Sequence, residues 1–198
     1  MLLVPDLGQT RKSLALVAAR LRGGGYRVLA MDNTGQERNV THGPRGRPTF
    51  KPLDTKILGK LRLDVQAAAE AVLAQAGASA HYGLVGYGIG ANVAILFAGE
   101  APEVGALVLV APGHGCEEYP ASDLIAIYGR RPLLLIESEK KVPTDFSTTI
   151  RLTIASRPDS LRERIVLPRE PDSVREQVGL GIEELIDWVG THLPVPNP

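Results

Sequence analysis

Cysteine is all but missing from this chain: among 198 residues there is one, Cys116. A lone thiol forms no internal disulfide, and no group of Cys and His stands at ligand spacing, so neither a disulfide framework nor a metal site is expected. That points to a reducing, cytoplasmic compartment. Net charge is missing too, since 22 basic residues face 22 acidic ones. Without an overall field, neither nucleic acid nor an anionic membrane is an expected partner. The opening Met1-Leu2-Leu3-Val4-Pro5-Asp6 has no basic leader and meets an acid within one turn, which argues against a signal peptide. No apolar run approaches the roughly 20 residues that span a bilayer. Internal repeats and low-complexity tracts are absent as well.

What the chain does have is a core-forming composition, 44% hydrophobic, in a length that suits one domain. We expect a single domain over 1–193 with a frayed tail at 194–198. Short Leu- and Val-rich runs alternate with amphipathic or Ala-rich stretches, the pattern of a parallel sheet covered on both faces by helices. Strands are expected at Leu2–Pro5, Arg27–Asp32, Tyr82–Gly86, Ala106–Ala111, Pro132–Glu137 and Arg164–Leu167. Leu14, Val17, Ala18 and Leu21 form a helical stripe stopped by Gly23-Gly24-Gly25. Further helices are expected at Leu63–Ala76, Ala91–Ala101, Ser122–Tyr128 and Val174–Leu193. The stretch from Asn33 to Lys60, rich in Gly, Pro, Arg and Thr, reads as a solvated loop over one end of the sheet. The fold class is therefore α/β, a doubly wound, mostly parallel sheet of about six strands.

The most informative segment is Tyr82-Gly83-Leu84-Val85-Gly86-Tyr87-Gly88-Ile89-Gly90-Ala91-Asn92, a strand running through alternating glycines into a helix. It resembles the G-x-S-x-G nucleophile elbow of the α/β-hydrolase superfamily, with Gly86 and Gly90 in the flanking places and Gly88 where the nucleophile belongs. Leu3-Val4-Pro5-Asp6-Leu7-Gly8 resembles the strand and oxyanion loop of that superfamily. Ala106 to Gly113 and Tyr128 to Ile136 are similar to small dienelactone-hydrolase-like and carboxylesterase-like members. The resemblance implies an α/β-hydrolase fold lacking the first two strands.

In that superfamily a Ser or Cys, a His and an acid act together, because a hydroxyl attacks well only when a base takes its proton. The resemblance puts Gly88 at the nucleophile, Lys141 at the acid and Asp172 nearest the histidine. Glu139 or Asp145 could replace the acid only if the turn shifts. Three departures at three places are poorly explained by one substitution, so the triad reads as degenerate and the chain as catalytically inactive. Backbone N–H groups of Leu7 and Ile89 could still converge on an anion, although a carboxylate at Asp6 would oppose negative charge there.

The expected ligand pocket is thus Asp6, Leu7, Tyr87, Gly88 and Ile89, taking a small molecule or an anion such as phosphate, or else a protein partner in a homo- or hetero-oligomer. No cofactor is called for. Gly86, Gly88 and Ala91 also fit a permissive dinucleotide fingerprint, but the next strand ends in Ala111-Pro112-Gly113 without the acid that would hold a ribose. Two further readings stay open. One is an esterase-like hydrolase with a relocated nucleophile, Cys116 beside His114 or Ser138; the other is an interaction subunit. Cys116 has acidic neighbours that would raise its thiol pKa. His42, His81 and His192 read as structural or exposed, and Trp188 as core.

Overall fold

A computed structural model describes residues 1–34, 40–42, 48–50, 55–77, 79–113, 120–138, 148–152, 162–167 and 181–195. Its strands are β1 (Leu2–Val4), β2 (Leu29–Ala30), β3 (Val40–His42), β4 (Pro48–Phe50), β5 (Tyr82–Tyr87), β6 (Val104–Val110), β7 (Leu133–Ser138) and β8 (Arg162–Leu167). Its helices are α1 (Ala15–Gly23), preceded by a 3-10 turn at Arg11–Leu14, then α2 (Thr55–Ala76), α3 (Ile89–Glu100), α4 (Ala121–Tyr128) and α5 (Ile182–His192). Residues 148–152 are also helical.

Six strands form one sheet in the order β2-β1-β5-β6-β7-β8, and every pairing is parallel. Side chains alternate across a strand, so consecutive residues serve opposite faces. Leu2, Val4, Leu84, Leu107, Leu109, Leu133 and Leu135 pack on one face, with Leu58, Leu61 and Val65 of α2, Ile95 of α3 and Leu124 of α4. Leu3, Val85, Tyr87, Val108, Val110, Leu134 and Ile136 pack on the other, with Val17 and Leu21 of α1 and Leu185, Trp188 and Val189 of α5. Each fully buried aliphatic or aromatic side chain of this kind contributes about 1.5–3 kcal/mol. Helix α3 is enclosed along its whole middle, buried at every residue from Gly90 to Ala98.

The order of strands reverses at β1: the chain passes from β1 to β2 on one side, while β5 lies on the other. In open parallel sheets the crevice at such a reversal, beyond the C-terminal ends of the strands, is where ligands bind. Here those ends carry the Pro5–Gly8 turn and the Gly88 elbow, held in register by Val4 opposite Gly86.

Part of the sequence-based expectation needs correction. Within the stretch read as one loop, β3 and β4 pair as an antiparallel hairpin, Val40 opposite Phe50 and His42 opposite Pro48. Helix α2 begins at Thr55, well before Leu63. The reason is a stripe at Leu58, Leu61, Val65 and Ala69, all buried against the sheet. Helix α5 begins at Ile182 after Gly181, which adopts the left-handed conformation at φ 66. The earlier part of the helix expected from Val174 lies outside the described residues. Trp188 is core, stacked on His192 with ring centroids 4.3 Å apart, and His81 is exposed.

Candidate functional site

The elbow is built from glycines that have no room for a side chain. A Cβ on Gly86 would lie 2.5 Å from the Gly90 carbonyl oxygen and 2.6 Å from Ala91 Cα. One on Gly90 would strike the Pro5 carbonyl oxygen and come within 2.9 Å of that of Val4. Strand β1 therefore passes directly over the start of α3, and only glycine permits the approach. Gly88 itself has φ 55 and ψ −122, outside the regions open to most residues. Gly88 thus turns strand β5 into helix α3 through a conformation that residues with a side chain rarely adopt.

The space a side chain at 88 would use is filled by Asp6. A Cβ built on Gly88 would overlap the Asp6 carboxyl group, lying well inside van der Waals contact of Cγ, Oδ1 and Oδ2. The carboxylate is held there by two backbone donors. Leu7 N–H donates to Asp6 Oδ1 at 2.7 Å, and Ile89 N–H, at the first residue of α3, donates to the same oxygen at 2.8 Å. These lengths are those of charge-assisted hydrogen bonds, and the positive end of the α3 dipole adds to them. Leu7 and Ile89 are the two residues whose N–H groups were expected to converge on an anion; in the structure they converge on the chain's own. The loop that delivers Asp6 is a tight turn in which Gln9 N–H donates to the Asp6 carbonyl at 3.1 Å and Gly8 takes φ 80.

Asp6, Leu7, Gly88 and Ile89 therefore meet at one point. Tyr87 does not turn toward it. Its side chain is buried to 1% exposure between the sheet and the α1/α5 layer, and burial pushes its phenol pKa up from the ordinary value. Ser138 is the last residue of β7. Lys141, Asp172, Cys116, His114, Glu139 and Asp145 lie outside the described residues, so the structure does not place them.

Three polar residues near the site were missed from the sequence. Asn92, 4% exposed in the enclosed helix α3, accepts from Gly113 N–H at 3.0 Å. It thereby holds the segment after β6, where Ala111 takes φ 46 and Gly113 N–H also donates to the Gly88 carbonyl at 3.2 Å. Glu137, near the end of β7, is 9% exposed and pairs with Arg151 at 3.3 Å. Asn33, 7% exposed, donates to the Pro5 carbonyl at 3.3 Å. The signal for Asn92 was a lone polar residue in the otherwise apolar stretch from Ile89 to Gly99; Glu137 and Asn33 gave none beyond their place at strand ends. Among the described residues no cluster of His, Cys, Asp and Glu could hold a metal ion.

A cleft of about 820 Å³ lies elsewhere, lined by Met1, Tyr26, Leu29, Val72, Tyr82 and Leu193 among others. These residues stand at the N-terminal ends of the strands, about 20 Å from the elbow by the length of β5.

A parallel sheet flanked by helices, with a glycine-lined elbow after β5 facing a backbone donor from the β1 loop, defines an α/β hydrolase. The comparisons with known proteins agree. A family model described as serine aminopeptidase, S33 matches residues 1–159, and the chain belongs to that family. Its structure is similar to that of a predicted CIB-like hydrolase from Thermoplasma acidophilum, at 17% identity and a TM-score of 0.64, over 96% of this chain and 85% of that one. It is similar to a Thermus thermophilus protein at 19% identity and a TM-score of 0.64, over 95% and 87% of the two chains. An α/β hydrolase from Sphaerobacter thermophilus aligns at 14% identity and a TM-score of 0.60, over 94% and 91%. No curated protein sequence matches the chain. Among the described residues no helix is long and apolar enough to cross a membrane.

Proposed function

We propose that this chain is a non-catalytic member of its hydrolase family, one that uses the crevice above Gly88 to bind a small ligand or a protein partner. The observation that carries the reading is the exchange of contents at the elbow. The residue in the nucleophile position has no side chain, and the volume of a side chain there is taken by the carboxylate of Asp6. Acyl transfer needs a nucleophilic oxygen or sulfur at that point and hydrogen-bond donors open to the negative charge that develops on the substrate. The two donors best placed for that task are already engaged by a negative group. With no nucleophile at residue 88 and the two donors beside it engaged, the residual catalysis that survives loss of a triad member, on the order of 10³- to 10⁴-fold over water, has no support from the described residues of the elbow.

The test is turnover and labelling by the purified protein. The family's name suggests an aminoacyl p-nitroanilide as one substrate; p-nitrophenyl acetate and butyrate cover the esterase reading. We expect rates no higher than those of a heat-denatured control, and no stoichiometric adduct with a fluorophosphonate or iodoacetamide. Turnover that one substitution in the crevice abolishes, or an adduct at Cys116 or Ser138, would establish a relocated nucleophile and remove the proposal.

A further inference from the structure

At the N-terminal ends of the strands, both apolar layers of the molecule are left incompletely covered. Leu29 and Val72 pack on the layer that includes α2, Val28 and Leu193 on the layer that includes α1 and α5, and all four are only half-buried where they line the cleft. Val195 beside them is 41% exposed. The cleft's volume, about 820 Å³, lies within the range of sites that hold a small organic molecule. An apolar body seated there covers the surface that the helices leave open.

The polar groups among these walls are donors. Arg27 rests one guanidinium nitrogen on the Gln75 carbonyl at 3.3 Å, near the end of α2, and has no carboxylate partner among the described residues. Its other N–H groups can meet an anion. Tyr82 is 4% exposed, yet its hydroxyl makes no hydrogen bond to a described residue. The phenol is pushed up to about 12, first by burial and then by Glu103, so at neutral pH it carries a proton to donate. His81 adds an exposed imidazole. No Asp or Glu stands among the described residues that line the cleft, and Glu103 lies outside that lining. A ligand that brings acceptors and negative charge satisfies these groups, whereas one that brings further donors does not.

We propose that the cleft is a second binding site, one that takes an apolar monocarboxylate, its chain or ring against Leu29, Val72 and Leu193 and its carboxylate turned to the donors of Arg27 and Tyr82. The length of β5, about 20 Å, separates this site from the elbow, so the proposal stands apart from the reading of the crevice above Gly88.

The experiment is calorimetric titration of the purified chain with sodium octanoate, 1-octanol and sodium butyrate. Octanoate carries both body and charge, and each of the others keeps one of them. Octanoate should bind saturably, and octanol about fivefold more weakly or worse, because it gives the cationic donor no charge to meet. Butyrate, shorter by four methylene groups, should bind at least about a hundredfold more weakly than octanoate. Two variants at exposed positions of the lining locate the site. Arg27→Gln removes the guanidinium, and Val195→Glu sets a carboxylate at the rim. Each should weaken octanoate about fivefold or more and leave octanol within about twofold of wild type. Tyr82→Phe should weaken octanoate by about two- to tenfold, the worth of one hydrogen bond. Either exposed variant decides the matter should the other fail to fold. Absence of saturable octanoate binding overturns the proposal. So does octanoate binding that a folded Arg27→Gln or Val195→Glu leaves unchanged, since the ligand then sits elsewhere, the crevice above Gly88 included. Octanol bound as tightly as octanoate overturns it too, because the donors then contribute nothing.

Discussion

The two ends of the parallel sheet are built on different plans. At the C-terminal ends of β1 and β5, backbone packs on backbone: Gly86 lies against the start of α3 and Gly90 against the Val4 and Pro5 carbonyls, with no space at either for a methyl group. At the N-terminal ends of the same strands the chain leaves a cleft of about 820 Å³ between Met1, Tyr26, Leu29, Val72, Tyr82 and Leu193. Among the described residues, spacing at the elbow is set by backbone and by the Asp6 carboxylate, whereas at the cleft it is set by the far ends of side chains such as Met1. The two ends should therefore answer differently to the same small added group.

Gly90→Ala should sharpen the contrast most. Its methyl group meets the Pro5 and Val4 carbonyls, and backbone cannot step aside as a side chain can. We expect a loss of more than about 4 kcal/mol by urea unfolding, or failure to accumulate folded protein. Gly88→Ser comes next, at about 3 kcal/mol. It adds the strain of a non-glycine residue at φ 55 and drives the carboxylate of Asp6 off its two donors. Coupling distinguishes this cost from simple crowding, since the serine should cost less in an Asp6→Gly background than in wild type, read from a double-mutant cycle.

At the open end the test is alkaline. Tyr82 is 4% exposed, and its phenol is pushed up to about 12, chiefly by burial and then by Glu103. The unfolded chain loses that proton near pH 10, whereas the folded one keeps it, so stability is full below about pH 10 and falls as the pH rises toward 12. Tyr87, also pushed up by burial, adds to the fall. Tyr82→Phe should make the decline shallower by up to about 1.4 kcal/mol per pH unit, measured by urea unfolding at a series of alkaline pH values. Smallest of all is Gly83→Ala. Its methyl group meets the sulfur of Met1 at 2.5 Å, the far end of a flexible side chain, and the change should stay within about 1 kcal/mol of wild type. A loss at Gly83 as large as that at Gly90 would erase the distinction between the two ends.

Most of the sheet was legible because its strands are short, continuous apolar runs. Leu2 and Leu3, or Leu84 and Val85, are both apolar, as strands buried on two faces require, and the glycines at 86, 88 and 90 mark a strand that turns at once into a helix. Helix α2 was read short because Gly59 interrupts Ile57-Leu58-Gly59-Lys60-Leu61 behind a run rich in proline and glycine, and tertiary burial of Leu58 and Leu61 outweighed that local signal. For the site, the identity of the meeting residues was readable, and so was the conflict between Asp6 and a negative charge nearby. That the conflict is resolved by Asp6 taking both donors itself was not, because a side-chain rotamer and a turn joining residues so far apart in sequence leave no periodic trace. Asn92 and Asn33 escaped for the same reason: a single polar side chain joining two segments has no spacing to detect.

Helix α3 is fastened at both extremities. Near its beginning Asn92 staples it to Gly113. At its other extremity the Arg131 guanidinium gathers the carbonyls of Ala98, Ala101 and Val104 at 2.7–3.0 Å while lying 4.1 Å over the Tyr128 ring. A rod pinned at two points neither slides nor pivots cheaply, so α3 serves as the stationary jaw of the elbow. Any widening there has to come from the opposing jaw, residues 5–9, swinging about the glycine at position 8.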